Sequence, residues 1–367
     1  MTSPEEVRLF TISSEVPEAV SLHKTSFADS QEQDVQTEYG PIKVAIQGNT
    51  KKPAIVTYHD IGLNHVTCFQ GFFHYSDMQA ILEHFCVYHI NAPGQDDGAL
   101  PLIQGPIDKQ KDRYTYPTAD QLADTVNSVV SFFGLKLIIG FGVGAGANIL
   151  ARYALKYPSK VEGLTLINPD ASQCGWVEWG YQKFNSWYLK SGNLTHFTED
   201  YLLWHWFGRA TKDSNSDLVH VYKQYIKTIN PVNLAMFIDS YSGRTDLKIQ
   251  RPANAQSTVQ TLKCNCMLVV GDHGPTVDET VNMNNRMDPT NTTLLKLQDC
   301  GGMVLEEAPA KLAESFRLFL QGLSYIPFLS QAKLVEARMK NTAIPTDTPP
   351  SLSEGGESSG TLEPAIC

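Results

Sequence analysis

Several features that would assign a function class directly are absent from this sequence of 367 residues. No run of about 18 apolar residues is present to form a membrane span. The first residues, MTSPEEVRLF, lack the basic and apolar regions of a signal peptide. We therefore expect a cytoplasmic protein without a membrane span, for which peripheral association with a membrane stays open.

Paired metal-binding or disulfide spacings are also missing. The seven cysteines are an odd number without C-x-x-C pairs, and Cys264 and Cys266 have no second pair at zinc spacing. Positive charge is scarce too, since 29 basic residues face 39 acidic ones, a formal net charge of −10 that repels phosphate backbones. We expect reduced cysteines, no metal, no cofactor and no nucleic-acid partner.

What the sequence does contain is an alternation of short apolar runs with segments of helical period. This alternation is typical of a mostly parallel sheet covered by helices on both faces. The first two runs are separated by Tyr39-Gly40-Pro41 and predict a hairpin. The eight candidate strands are 36–39, 42–47, 54–58, 86–90, 136–140, 163–167, 267–270 and 293–297.

Helix starts and apolar helix faces complete this pattern. The segments 76–79 (SDMQ) and 118–121 (TADQ) have the spacing of capping boxes, which predicts helices there. One apolar stripe comprises Leu122, Val126, Val129, Val130 and Phe133, and a second comprises Leu312, Phe316, Phe319, Leu320 and Leu323. We interpret both stripes as core.

The composition changes in three places along the chain. From about 170 to 247 the strand pattern stops and aromatic residues dominate, which indicates a helical insertion. Its tryptophans are Trp176, Trp179, Trp187, Trp204 and Trp206. We expect them to pack this insertion against the sheet, and exposure of part of the cluster as a partner surface is the less favoured alternative. Residues 1–30 are expected to be flexible, 31–328 to form the domain and 329–367 to be a largely disordered tail.

The segment 137–146 (LIIGFGVGAG) predicts a strand, a glycine-rich turn and a following helix. This outline matches the nucleophile elbow G-x-S-x-G, and we place its serine position at Gly142. A dinucleotide loop G-x-G-x-x-G is the alternative, but that motif belongs to the first βαβ unit, whereas this is the fifth candidate strand. The nucleotide-binding interpretation is therefore weak.

The two remaining members of a Ser-Asp-His triad would follow the last two strands. After 267–270 the acid position holds Gly274, and after 293–297 the histidine position holds Gly302. With glycine at all three positions a covalent mechanism has no nucleophile, base or acid. The sequence thus predicts an α/β-hydrolase fold, with an eight-stranded mostly parallel sheet and a helical cap insertion, but no catalytic residues and no enzyme activity.

Polar residues near these positions are candidates for a vestigial pocket. His59 and Asp60 follow the third strand, where the backbone N–H groups of Ile61 and Val143 would form an oxyanion hole beside Gly142. A structural role in hydrogen-bonding the loop is the competing interpretation for His59 and Asp60, and we favour it. A base or metal ligand set built from Asp272, His273 and His59 has no spacing to support it.

Five segments resemble the N-myc downstream-regulated (NDRG) family. They are YHDIGLNH (58–65), NAPGQDDG (91–98), GFGVGAG (140–146), VVGD (269–272) and DCGG (299–302), and the similarity runs from about Asp34 to Tyr325. The resemblance implies a hydrolase-like fold without a working triad. It also implies roles in signalling, growth and differentiation control, stress response and trafficking, exerted through protein partners.

The tail departs from the phosphorylated repeats of that family. Only Arg338-Met339-Lys340-Asn341-Thr342 resembles a site for a basophilic kinase, with Thr342 as the acceptor. Two functions stay open at this point. One is an adaptor on a dead hydrolase scaffold, and the other is a small-molecule sensor or unconventional hydrolase that uses a pocket under the cap.

Removing residues 341–367 should leave the thermal midpoint of the protein unchanged. Its apolar side chains are few and scattered, with only Leu352 between 346 and 360, and it therefore contributes little to the folded core. Differential scanning calorimetry of the full-length and shortened chains checks this, and a loss of several degrees would contradict it.

Overall fold

The structure, a computed structural model, describes residues 30–102, 114–175, 186, 188–214, 216–253 and 257–326. Its centre is one eight-stranded sheet with the order β1-β2-β4-β3-β5-β6-β7-β8. The strands are β1 Gln31–Thr37, β2 Gly40–Gly48, β3 Ala54–Tyr58, β4 Cys86–Ile90, β5 Ile138–Val143, β6 Val161–Ile167, β7 Asn265–Gly271 and β8 Thr292–Leu297. The first two strands pair antiparallel, β2 pairs antiparallel with β4, and all other pairs are parallel.

Ten α-helices within the described residues surround or extend this sheet. They are α1 His65–Phe73, α2 Ser76–Leu82, α3 Ala119–Phe132, α4 Ala145–Lys156, α5 His196–Ser214, α6 Ser216–Ile226, α7 Pro231–Ser242, α8 Val277–Arg286, α9 Val304–Glu307 and α10 Pro309–Gly322. The helices α5 to α7 are inserted between β6 and β7 and form the cap. The predicted fold class and helical insertion are therefore confirmed.

The core lies on both faces of the three central strands. Every residue of β3, β4 and β5 is buried, as near-continuous apolar runs in a parallel sheet require. On one face Phe141 of β5 contacts the rings of Phe69, Phe72, Phe73 and Phe316 at centroid distances of 5.2–6.1 Å. The stripes of α3 and α10 pack into this core, with Phe133, Phe319 and Leu323 at its border.

Two strand boundaries differ from the sequence prediction by three residues or more. The strand β5 continues to Val143 instead of ending at Gly140, because its last residues still pair with β3 and β6. The strand β1 begins at Gln31 rather than 36, because it is an edge strand held by pairing with β2. Its outer residues are exposed and polar, so they carry no apolar pattern.

One of the two predicted capping boxes is wrong. The Thr118 hydroxyl accepts from the Gln121 N–H while the Gln121 side chain accepts from the Thr118 N–H, as predicted for α3. At α2, however, Ser76 is already inside the helix, and the Gln79 side chain donates to the Phe73 carbonyl. The chain enters α2 directly from the end of α1, which leaves Tyr75 rather than Ser76 at the cap position.

Candidate functional site

The turn from β5 into α4 has the backbone shape of a nucleophile elbow. Gly144 caps α4 with φ 53° and ψ −113°, a conformation that a residue with a Cβ rarely adopts. Gly142 lies within β5 and has no positive φ. The placement of the serine position at Gly142 is therefore wrong, and the residue at the elbow is Gly144.

The glycines two residues before and after Gly144 allow the strand and the helix to pack closely. A Cβ on Gly146 would lie 2.0 Å from the Tyr58 carbonyl oxygen, and one on Gly142 would lie 2.7 Å from the Ala147 Cα. Both are the small flanking residues that let the strand and helix approach in a G-x-S-x-G turn. The pentapeptide GVGAG (142–146), aligned to that motif, already carries the signal that the sequence interpretation missed.

The carboxylate of Asp60 fills the space in front of the elbow. A Cβ on Gly144 would come within 2.2 Å of the Asp60 Cγ. Asp60 Oδ1 accepts hydrogen bonds from the N–H groups of Ile61 at 2.7 Å and Ala145 at 2.8 Å. In α/β-hydrolases these two donors, one after the nucleophile and one after β3, form the oxyanion hole. The Asp60 carboxylate therefore accepts the two hydrogen bonds that an oxyanion would accept. The second donor is Ala145 rather than the predicted Val143.

The second oxygen of Asp60 connects the elbow to the cap. Asp60 Oδ2 lies 3.0 Å from Nε2 of His205 on α5, and the two side chains are only 7% and 13% exposed. Burial alone would raise the pKa of Asp60. The attraction of His205 and the hydrogen bonds from His205, Ala145 and Ile61 outweigh it, so the pKa lies below its ordinary value. His205 could not be predicted as a site residue, because nothing in an aromatic-rich helix points to a partner 145 residues away.

His59 is fixed in a structural role. Its Nδ1 lies 2.8 Å from the Asp60 carbonyl oxygen, and its Nε2 accepts from the Ala92 N–H at 2.9 Å. Since Nε2 is the acceptor, the ring proton is on Nδ1. Burial lowers the pKa of His59 to about 4, so the ring is neutral at pH 7. With both nitrogens engaged, His59 has no lone pair available to act as a base.

The backbone of α5 covers the expected histidine position. A Cβ on Gly302 would lie 2.2 Å from the Trp206 carbonyl oxygen, and the Gly302 N–H donates to the Phe207 carbonyl at 3.1 Å. The Trp206 indole N–H donates to the Ile61 carbonyl at 2.9 Å. A kink at Gly208, with φ 74°, brings α5 against the His273 carbonyl. A side chain at Gly302 is therefore incompatible with the observed position of the cap.

The loop after β7 holds the remaining sequence candidates. Gly274 lies in a turn closed by its N–H on the Gly271 carbonyl, at the same edge of the sheet as Gly302. Asp272 accepts from the Cys300 N–H at 3.1 Å, and this bond is the main cause of its lowered pKa. His273 is 52% exposed in its side chain and lies 3.3 Å from Asp272. Because these two side chains join the β7 and β8 loops at the surface, they do not share a site with the buried His59.

The remaining expectations concern metal binding, a membrane span and four residues that the structure does not describe. Among the residues that the structure describes, no three His, Cys, Asp or Glu side chains are grouped as a metal site would need. No helix in the same part of the chain is long and apolar enough to cross a bilayer. Thr342, like Trp176, Trp179 and Trp187, lies outside the described residues.

The sheet order, the elbow and the cap between β6 and β7 define an α/β-hydrolase fold. Solved hydrolases of low identity share it. An esterase from Thermogutta terrifontis has a TM-score of 0.64 at 18% identity, covering 80% of this chain and 99% of the esterase. The enol-lactonase from Burkholderia xenovorans LB400 has a TM-score of 0.62 at 15% identity, covering 79% of this chain and all of that structure.

Sequence comparison assigns the family. The profile of the Ndr family matches residues 32–327. Protein NDRG1 of Xenopus tropicalis is 45% identical over 317 residues, which is 86% of this chain and 76% of that protein. Protein NDRG4-B of Xenopus laevis is 42% identical over 88% of this chain and 85% of that protein. The chain belongs to the Ndr family, as its motifs predicted.

We expect Asp60→Asn to lower the free energy of unfolding at pH 7 by about 1–3 kcal/mol, because a charge-assisted pair with His205 becomes a neutral one. The pKa of Asp60 is lower in the folded protein than the ordinary 3.8, so ionisation stabilises the fold above that value. The difference between wild type and variant should therefore shrink as the pH falls below about 4.

Urea denaturation between pH 7 and pH 3 measures this difference. The exposed Asp97→Asn, which removes the same charge from the loop after β4, is the matched control and should show no such dependence. A stability difference for Asp60→Asn that is absent at pH 7 or constant with pH would contradict a stabilising role for the ionised Asp60.

Proposed function

We propose that this chain is a non-enzymatic regulatory or adaptor protein, built on a hydrolase scaffold that does not catalyse. In this proposal residues 31–328 form the domain and the protein acts in the cytoplasm through other proteins. Its processes are signalling, growth and differentiation control, stress response or trafficking, with Thr342 as a phosphorylation site. Two observations support this proposal, namely family membership and the hydrogen bonds around Asp60.

The observation that carries the proposal is the occupied oxyanion hole. A hydrolase needs the N–H groups of the elbow and of the loop after β3 free to bind the developing oxyanion. Here both donate to Asp60, at 2.7 and 2.8 Å. Gly144 supplies no nucleophile, and the backbone at Trp206 leaves no room for a base at Gly302. A substrate carbonyl would have to displace a buried carboxylate that is already hydrogen-bonded to His205.

The cap offers a candidate surface for a protein partner. Trp204 on α5 is 45% exposed, whereas Trp206 two residues later is buried against the loop after β3 and against α6. The Trp204 ring lies 6.5 Å from that of Tyr201, which in turn stacks on His205 at 5.8 Å. Tryptophan and tyrosine dominate the energetics of protein interfaces. A partner on this surface would therefore contact the helix that also holds Asp60.

A cleft next to the same surface favours the second candidate function, a small-molecule sensor. It has a volume of about 1160 Å³ and lies between α5, α8 and residues 170–175. Tyr201, Trp204 and Arg209 line one wall, which combines aromatic area with a positive charge. This cleft is open to solvent rather than enclosed, and five acidic residues line it, so we rank the sensor below the adaptor.

The purified protein should hydrolyse p-nitrophenyl acetate no faster than a heat-denatured sample. The reason is that neither a nucleophile nor a free oxyanion hole exists at the elbow. Gly144→Ser should also be inactive, because the new side chain meets the Asp60 carboxylate. Saturable turnover by the wild type that His59→Ala or Asp272→Ala abolishes would overturn the non-enzymatic proposal.

The adaptor function predicts that Trp204→Glu removes partners. Affinity enrichment and quantitative mass spectrometry would compare full-length wild type, Trp204→Glu and the control Phe132→Glu. Phe132 is 56% exposed at the end of α3 and lies outside the cap. Proteins enriched by the wild type and the control should be lost from Trp204→Glu. Identical enrichment by all three chains would exclude Trp204 from the partner surface.

A further inference from the structure

Lysines precede four neighbouring strands at the edge of the sheet where the parallel strands begin. They are Lys52 before β3, Lys136 before β5, Lys160 before β6 and Lys263 before β7. These strands start in register, with Ile138 opposite both Ala54 and Val161. Adjacent strands are about 4.8 Å apart, so the four lysines are spread over about 14 Å of this edge.

The charges of these lysines are not neutralised by ion pairs. A fifth lysine, Lys51, lies in the turn between β2 and β3, and Lys51, Lys136 and Lys263 are all exposed. The Lys52 ammonium group donates to the backbone carbonyl of Glu83, which carries no charge. Among the residues that the structure describes, none of the five lysines forms a salt bridge.

Carboxylates are fewer than basic groups at this edge. They belong to Glu83 before β4, Glu162 in β6 and Asp288 after α8. Glu162 accepts from the Tyr325 hydroxyl, and Asp288 interacts with the charges of Lys263 and Arg251. Five lysines and Arg251 therefore face three carboxylates. The edge is locally positive, although the chain as a whole has a formal net charge of −10.

Two large apolar side chains are exposed between the lysines. Phe132 at the end of α3 is 56% exposed, and Leu137 just before β5 is 46% exposed. The turn between them is fixed, because Gly134 has φ 63° and its N–H and that of Leu135 donate to the carbonyls of Ser131 and Val130. These two bonds form a Schellman motif. We call the five lysines together with Phe132 and Leu137 the basic edge.

The basic edge has the composition of a surface that binds anionic lipid. Lysines are attracted to the negative headgroups, and apolar side chains beside them enter the boundary between headgroups and acyl chains. An inserted peptide would need a cleft instead. Four clefts of 290–1160 Å³ in the described part of the chain are lined by none of the five lysines. A broad and negatively charged partner therefore fits this edge better than a peptide.

We propose that the basic edge binds the surface of an anionic phospholipid membrane. Phe132 and Leu137 insert below the headgroups that the lysines contact. The cap lies at the opposite edge of the sheet, where α5 contacts the loops after β3 and β8. Strands β3 and β5 have five and six residues, so the two edges are about 17–20 Å apart. Membrane binding thus leaves Trp204 pointing away from the bilayer, and it does not depend on the adaptor function.

Co-sedimentation of the purified full-length chain with vesicles tests this proposal. The vesicles are phosphatidylcholine alone or phosphatidylcholine with about 30% phosphatidylserine. The apparent affinity should be at least about tenfold higher for the vesicles with phosphatidylserine. Raising the salt from about 0.1 to 0.5 M should remove most of this difference, because it shortens the range of the attraction.

Two triple variants separate the basic edge from the overall charge. Lys51→Gln/Lys136→Gln/Lys263→Gln should lower the affinity for phosphatidylserine vesicles by about a hundredfold, at about fivefold for each lysine. Its matched control removes the same charge from exposed lysines elsewhere and should change the affinity less than twofold. The control is Lys227→Gln/Lys296→Gln/Lys311→Gln.

Variants of exposed apolar residues complete the test. Phe132→Ser/Leu137→Ser should weaken binding by about tenfold or more, and Trp204→Glu should leave it within about twofold of wild type. Equal binding to both kinds of vesicle, or an equal loss in the two lysine variants, would overturn the proposal. A higher affinity for soluble polyglutamate than for the vesicles would also overturn it, because the partner would then be an acidic protein.

Discussion

The carboxylate of Asp60 is the contact on which the arrangement of the sheet and the cap depends. It accepts from its neighbour Ile61, from Ala145 at the start of α4 and from His205 on the cap helix, residues separated by up to 145 positions. Each buried N–H left without an acceptor would cost about 1–3 kcal/mol. One side chain thus fixes the loop after β3, the elbow and α5 relative to each other, in a region closed to solvent.

The glycines near this carboxylate follow from the same constraint. Because α5 is held by His205, its next residues lie directly on the loops at the carboxyl ends of the sheet. The Trp206 and Phe207 carbonyls then face Gly302, and Gly208 bends the helix past His273. Gly144 leaves room for Asp60 itself. Glycine at these positions is therefore a packing requirement of the closed cap, in addition to an absence of catalytic groups.

The sequence predicted the parts of this structure that depend on local pattern. The parallel strands β3 to β7 were found because buried parallel strands are continuous apolar runs, and Thr118 was found because a capping box is a local motif. Ser76 had the same pattern, but the close entry from α1 took its cap position. Gly142 was mistaken for the elbow because the segment is rich in glycine, so the sequence does not show where β5 ends. The structural role favoured for Asp60 could be predicted, but its partners Ala145 and His205 could not, since only the tertiary fold brings them to the carboxylate.

The occupied oxyanion hole also affects how such a chain can change over evolutionary time. A serine introduced at Gly144 meets the Asp60 carboxylate, and a histidine introduced at Gly302 meets the α5 backbone. Removing Asp60 first leaves the Ile61 and Ala145 N–H groups without their acceptor and His205 without its partner. Each step toward a hydrolase is therefore unfavourable until the others have occurred. In the non-enzymatic protein that we propose, this dependence of each change on the others is a form of epistasis that would act as a ratchet against a return to catalysis.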